Sequence, residues 1–275
     1  MFTLNCKGRL LVLERPVVMG ILNVTPDSFY AGSRINSEQE LLEQAGRMIE
    51  EGAIILDVGG QSSRPGAVAI SADEETKRVV PAIAAIRKSF PDVYISVDTF
   101  YADVAKASAH AGADMINDIS GGLLDPRMLE TVSILQIPYI GMHMRGTPAT
   151  MQQETSYKDL ITDLLDYFQE RIQTYKQAGI HDMIIDPGFG FSKTISQNFE
   201  LLNALNAFQI FQVPVLVGLS RKSMIYKTLG CSPEEALNGT TVLQTIALQK
   251  GASILRTHDV KAAVECIALV SCLSK

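Results

Sequence analysis

Short apolar runs that end on a polar residue recur along the chain: Val17 to Asn23, Ile54 to Asp57, Val93 to Asp98 and Met115 to Asp118. Tyr139 to His143, Met183 to Asp186, Val213 to Ser220 and Ser253 to His258 continue the pattern and bring the candidate strands to eight. Each run is nearly continuously apolar, which is how a strand reads when helices or other strands cover both of its faces. Between the runs lie stretches of helical periodicity. Ser37 with Glu40, Ser71 with Glu74, and Ser232 with Glu235 behind Pro233 have the spacing of capping boxes and predict helix starts. Gly52, Gly112, Gly179 and Gly251 each close a helical stretch a few residues before the next strand, where a left-handed cap is needed.

Regular alternation without a break in composition predicts one domain over residues 1–275, built on a parallel sheet. Closure into a (β/α)8 TIM barrel explains why no strand reads as a polar edge. An open, doubly wound sheet is the competing architecture, but the glycine pattern of a dinucleotide-binding turn is missing after the first strand. In a barrel, catalytic groups sit where strands end, so residues distant in sequence meet at one mouth. Those residues are Asn23, Asp57, Asp98, Asn117, His143, Asp186, Lys222, Arg256 and His258.

Composition narrows the picture further. A chain of 275 residues that is 47% hydrophobic and 20% charged has ample material for a core. A formal charge of −6 argues against a general nucleic-acid surface, while leaving room for a local anion site. The cysteines at 6, 231, 266 and 272 have no spacing that suggests zinc or a disulfide framework. No apolar run is of membrane length, and the expected setting is the cytoplasm.

Several strand-end residues have both a chemical and a structural explanation. Asp98 and Asp186 follow apolar strands, where a carboxylate needs a donor; a donor-rich heterocycle could supply it, and so could a neighbouring basic residue. Asp57 and Asp118 fit structural roles better. Asn117 can both donate and accept, as the mixed edge of a nucleobase-like ring requires. Lys222 opens a helix where a basic side chain gains little from the helix dipole, so it suits a ligand carbonyl or anion, or simply solvent. Arg256 and His258 stand two residues apart on a strand and point the same way, as an anion clamp would. The loop Ser62-Ser63-Arg64-Pro65-Gly66 combines hydroxyls, amides and a guanidinium that can meet a phosphate or carboxylate. Met142, Met144 and Phe191 could wall a flat ring or belong to the core, and His143 reads as a satisfied core histidine.

Two long stretches, Met19-Gly20-Ile21-Leu22-Asn23-Val24-Thr25-Pro26-Asp27-Ser28-Phe29 and Gly59-Gly60-Gln61-Ser62-Ser63-Arg64-Pro65-Gly66, resemble the signatures of the dihydropteroate synthase family. The resemblance continues in order through Asp98-Thr99, the Asn117 to Gly122 segment, Met142-His143-Met144, the Asp186 to Phe191 segment, Ser220-Arg221-Lys222-Ser223 and Arg256-Thr257-His258-Asp259. It implies a TIM barrel, usually a homodimer, acting as a transferase in folate synthesis and targeted by sulfonamides. The implied reaction joins a dihydropterin diphosphate to 4-aminobenzoate with Mg²⁺.

By that resemblance Asn23 coordinates Mg²⁺, Asp98, Asn117, Asp186 and Lys222 hold the pterin, and Arg256 and His258 bind its diphosphate. Ser63 and Arg64 lie on a loop that closes over the reacting centre, and Ser223 with Lys222 locates 4-aminobenzoate in a pocket bordered by Phe29 and Pro65. The chain departs from the family's frequent Glu-Ser-Thr at Gln61-Ser62-Ser63. Ser63 keeps a hydroxyl and loses a methyl; Gln61 removes a charge. A pterin-dependent methyltransferase shares the barrel, but lacks the anion-binding residues. A pterin binder without turnover is the remaining alternative.

Overall fold

The computed structural model describes residues 1–24, 34–61 and 70–274, without the side chains of 34–37 and 274. Phe29, Ser63, Arg64 and Pro65 lie outside the described residues. The chain opens with an antiparallel hairpin, β1 (Phe2–Cys6) and β2 (Arg9–Leu13). The strand–helix alternation follows: β3 (Val17–Asn23), α1 (Arg34–Glu50), β4 (Ile55–Gly59), α2 (Ala72–Ser89), β5 (Tyr94–Asp98), α3 (Ala102–Ala111), β6 (Met115–Asp118) and α4 (Met128–Leu135). It continues through β7 (Tyr139–Met142), α5 (Leu160–Gln177), β8 (Met183–Asp186), α6 (Ile195–Asn203), β9 (Leu216–Val217), α7 (Ser223–Leu229), α8 (Leu237–Gln249), β10 (Ile254–Thr257) and α9 (Val260–Ser271).

β3 to β10 form one parallel sheet in the order β8-β7-β6-β5-β4-β3-β10-β9. A parallel bridge between Ile185 and Val215 brings the two ends of the sheet together, with the Ile185 amide donating to the Pro214 carbonyl at 3.1 Å. The sheet is therefore a barrel, as the sequence predicts. Its seam is narrow because β9 has two residues instead of the predicted run from Val213 to Ser220. Pro214 has no N–H to give to a ladder, so regular pairing begins only beyond it.

Alternation sorts the strand side chains. Val18, Leu56, Ile95, Ile116, Ile185, Val217 and Leu255 face outward into the layer shared with the helices. Met19, Ile55, Met115, Ile140, Ile184, Leu216 and Ile254 face inward and pack on Leu4, Cys6, Leu11 and Leu13 of the hairpin, which plugs the N-terminal end of the barrel. Two residues further along the same inward face come Asp57, Asn117, Met142, Asp186 and Arg256. One step of the pleat thus carries β4, β6, β8 and β10 from apolar to polar.

The hairpin is absent from the predicted elements. Its turn uses Lys7 and Gly8, both at positive φ (53° and 87°), a two-residue connection of the kind usually marked by Asn-Gly or Asp-Gly. Helix starts are mixed. Ser71 caps α2 by accepting from the Glu74 amide at 3.2 Å, as predicted. Ser37, by contrast, lies inside α1, which begins at Arg34. Ser232 and Glu235 form a turn in which the carboxylate accepts from the Ser232 amide at 3.0 Å, and α8 starts beyond it at Leu237. All four predicted glycine stops hold: Gly52, Gly112, Gly179 and Gly251 have φ between 87° and 118°.

Candidate active site

Strands β4, β5, β6 and β10, with β3 between β10 and β4, deliver the central charge network. Arg256, near the end of β10, donates from Nε to Asp57 Oδ2 and from Nη2 to Asp98 Oδ2, both at 2.6 Å. Asn117 on β6 donates to the same Asp57 oxygen at 3.0 Å. Asp57 is fully buried, and its Oδ1 has no partner among the described residues. Asp57 is therefore the anchor that sets both the Arg256 guanidinium and the Asn117 amide, a structural role in keeping with the sequence reading. Arg256 is a cross-brace before it is an anion contact.

Asp98 sits beside Asn117 in register and beside Gly59 on its other flank. Burial raises its pKa, with Arg256 opposing and Asp57, Asp118 and Asp186 adding to the rise. Asp186 closes β8 opposite Met142; its Oδ1 accepts from the Gly188 amide at 2.8 Å. Burial also raises the Asp186 pKa, against the pull of Lys222 and Arg256. Lys222 is lowered to about 8 by burial, with Asp186 opposing. A side chain at Gly218 would meet Lys222 Nζ at 3.9 Å and Arg256 Cβ at 4.0 Å, so both basic groups border one space, with Asp98 bonded to Arg256.

The Lys222 ammonium donates to the Phe189 carbonyl and stands 4.7 Å from the centre of the Phe191 ring. A side chain at Gly190 would meet Lys222 Cδ at 3.1 Å, and Gly190 has φ +81°, so glycine is what allows the lysine to cross here. Phe191 packs with Phe100, Ile119, Met142, Met144 and Met151 in an apolar cluster on this side of the mouth. Met142, Met144 and Phe191, which the sequence offers either as a ring wall or as core, thus come together in one cluster. Ser223 is the first residue of α7, directly after Lys222.

Asn23 ends β3 next to Gly59 and is exposed at the mouth. His258 is also exposed, and its amide donates to Ser220 Oγ at 3.2 Å. Arg221 turns elsewhere, pairing with Asp259 at 2.8 Å and donating to the Pro233 carbonyl at 3.0 Å. His143 is buried beside Lys193, with Nδ1 to Nζ at 3.1 Å, so it is the satisfied core histidine expected of it. Lys193 itself is 3% exposed and was not singled out by sequence. Nothing in the run Phe191-Ser192-Lys193 distinguishes a buried lysine from a solvated one.

Gln61 points inward toward Glu75 of α2, whose Oε2 accepts from Thr99 at 2.8 Å. Burial lifts the Glu75 carboxyl to about 7. The altered position 61 therefore faces a buried carboxyl.

A mouth that joins carboxylates, an asparagine, a lysine and an apolar wall suits a flat heterocycle bearing several N–H donors. The model of the "Pterin binding enzyme" family matches residues 19–258, and the chain belongs to that family. Within it, the chain is similar to dihydropteroate synthases. It is 46% identical to the dihydropteroate synthase of Escherichia coli (strain K12), over 97% of this chain and 95% of that one. It superposes on the Yersinia pestis dihydropteroate synthase solved with a sulfonamide drug complex at a TM-score of 0.93, with 44% identity and 99% of each chain covered. The Xanthomonas albilineans dihydropteroate synthase with 4-aminobenzoic acid gives a TM-score of 0.91 and 40% identity, covering 99% of this chain and 98% of that one.

Proposed function

We infer that the chain condenses (7,8-dihydropterin-6-yl)methyl diphosphate with 4-aminobenzoate, releasing diphosphate and forming 7,8-dihydropteroate for folate synthesis. The observation that carries this reading is the convergence of Asp98, Asn117, Asp186 and Lys222 at the strand ends, beside Arg256. The carboxylates and the asparagine take the ring's N–H donors, and Lys222 meets its carbonyl edge. Met142 and Phe191 cover a face of the ring.

The bond from the methylene carbon to the diphosphate oxygen breaks as negative charge grows on the leaving group. Arg256 and His258 would stabilise that charge, and the carboxylates under the ring would favour the cationic methylene left behind. The arylamine nitrogen of 4-aminobenzoate then supplies the electron pair for the new C–N bond and loses a proton, so no activated protein nucleophile is required. Lys222 and Ser223 locate the second substrate, with Ser63, Arg64, Phe29 and Pro65 completing its surroundings.

Mg²⁺ fits a particular kind of site here. Among the described residues no group of three or more His, Cys, Asp or Glu side chains could hold a metal, and Asn23 offers one neutral oxygen. That suits an ion that takes most of its ligands from diphosphate and water. When bound, it would neutralise diphosphate charge.

A homodimer in the cytoplasm is the proposed state; no helix among the described residues is long and apolar enough to cross a membrane. Sulfonamides are proposed inhibitors at the 4-aminobenzoate position. The test is a steady-state assay of diphosphate release with both substrates. Release that depends on 4-aminobenzoate supports the reading; pterin binding without release makes the chain a binder.

A further inference from the structure

Lys193 lies outside the roles assigned so far, yet it is among the most completely buried charged groups of the described residues. Its Nζ has three partners, each at 3.1 Å: the carbonyls of Gly188 and Phe191, and Nδ1 of His143. Three acceptors match the three N–H bonds of an ammonium. Burial draws the Lys193 pKa down to about 7, with Asp186 opposing; the ammonium form donates to all three, and His143 then carries its proton on Nε2.

The two carbonyls bracket the turn after β8, whose Phe191 amide donates back to Gly188 at 3.1 Å. The turn is pressed against its surroundings. A side chain at Gly188 would come within 2.1 Å of the His143 carbonyl oxygen, and Gly188 has φ +74°. Inside this turn are the two groups that hold Lys222, namely the Phe189 carbonyl and the Phe191 ring.

We propose that Lys193 is a positioning residue for the pterin site, its ammonium closing the 188–191 turn so that Phe189 and Phe191 hold Lys222 in line with the substrate. The proposal rests on the pterin reading of the site. Without the ammonium, the Gly188 and Phe191 carbonyls lose a shared donor in a dry interior. The turn then relaxes toward other partners, and Lys222 loses its seat. The turn also meets Asp186 through the Gly188 amide and the ring wall through Phe191, so it is the coupling to Lys222 that separates this role from general support of the fold.

The test is a double-mutant cycle of Lys193→Met and Lys222→Met, read by calorimetric affinity for 6-hydroxymethyl-7,8-dihydropterin. Lys193→Met keeps the length of the side chain and removes its donors. It is expected to weaken binding tenfold or more, with a melting temperature within a few degrees of wild type, and to weaken it at least threefold less once Lys222 is already Met. Independent effects that multiply in the double variant, or an unchanged affinity in Lys193→Met, would overturn the proposal. If Lys193→Met does not fold, Lys193→Gln, which keeps two donors on a shorter arm, carries the same cycle with the same two readings. Failure of the wild-type chain to bind the dihydropterin would instead sink the proposed function, so the two failures are distinguishable.

Discussion

The two ends of the barrel are made by the same strands and solve opposite problems. At the N-terminal end, Met19, Ile55, Met115, Ile140, Ile184, Leu216 and Ile254 meet the hairpin residues Leu4, Cys6, Leu11 and Leu13 in a dry apolar layer. At the C-terminal end, two positions later, Asp57, Asn117, Asp186 and Arg256 follow on four of these strands, while Ile21, Met142 and Gly218 follow on the other three. Carboxylates occur near both ends but are treated differently. Asp114, by the hairpin, is held by Arg87, by Arg9 at 3.2 Å and by the Ile95 amide at 2.8 Å. Asp57, Asp98 and Asp186 share one guanidinium and one lysine. The plugged end contributes stability, while the open end leaves polar groups for a ligand to complete.

The largest expected effect breaks the open end. Arg256→Met leaves Asp57 and Asp98 without their counter-charge, and removing one partner of a buried ion pair costs about 3 to 5 kcal/mol. Both the urea midpoint and diphosphate release should fall. Arg256→Lys keeps the charge but cannot span both carboxylates, so its release rate should stay well below wild type with the fold intact by circular dichroism.

At the plugged end, Leu4→Ala should cost about 3 kcal/mol of stability, in the range for a buried leucine. The KM values should not move at temperatures where the variant is folded. A raised KM for either substrate would show that the ends are mechanically coupled.

Glu75 sharpens the comparison through pH. Its carboxyl is raised to about 7 by burial, from an ordinary value of 4.5. The folded state thus prefers the protonated form, so this contribution is fully present below pH 4.5 and is lost as pH rises through 7. The full span is worth about 3 kcal/mol. Glu75→Gln should remove it, so that urea midpoints of variant and wild type diverge between pH 5 and pH 8 in the variant's favour. A constant difference across that range would mean that Glu75 does not take up the proton.

Asp186→Asn is the smallest of these changes. Losing a charge-assisted acceptor should weaken dihydropterin binding by about 1.5 to 3 kcal/mol. Unchanged affinity by calorimetry in a folded variant would remove Asp186 from the pterin site.

Much of this contrast is written in the sequence at period two. Ile55-Leu56-Asp57, Met115-Ile116-Asn117, Ile184-Ile185-Asp186 and Ile254-Leu255-Arg256 each place an apolar and a polar residue on one inward face. Strand ends were therefore legible, and with them most of the site. The hairpin was not, because Lys7-Gly8 lacks the usual turn residues although Phe2, Leu4 and Cys6 alternate with polar or small neighbours. Ser37 and Ser232 misled because capping-box spacing also occurs within helices and in isolated turns. The bonds that decide the roles of Arg256 and Lys193 run between segments far apart in the chain, where spacing carries no information.

The pairing of β10 with β3, from Ile254 opposite Val17 to Thr257 opposite Gly20, also bears on how the chain is made. Arg256 reaches Asp57 and Asp98 across 199 and 158 residues. A growing chain emerges from the ribosome in order, so strands β3 to β8 appear with their carboxylates long before the guanidinium that braces them. Until residue 256 is free of the exit tunnel, Asp57 and Asp98 lack the guanidinium that braces them and the barrel lacks β10 between β3 and β9. A transcript cut short by a few dozen codons would accordingly yield a product with an open barrel and an unbraced pair of carboxylates, at Asp57 and Asp98.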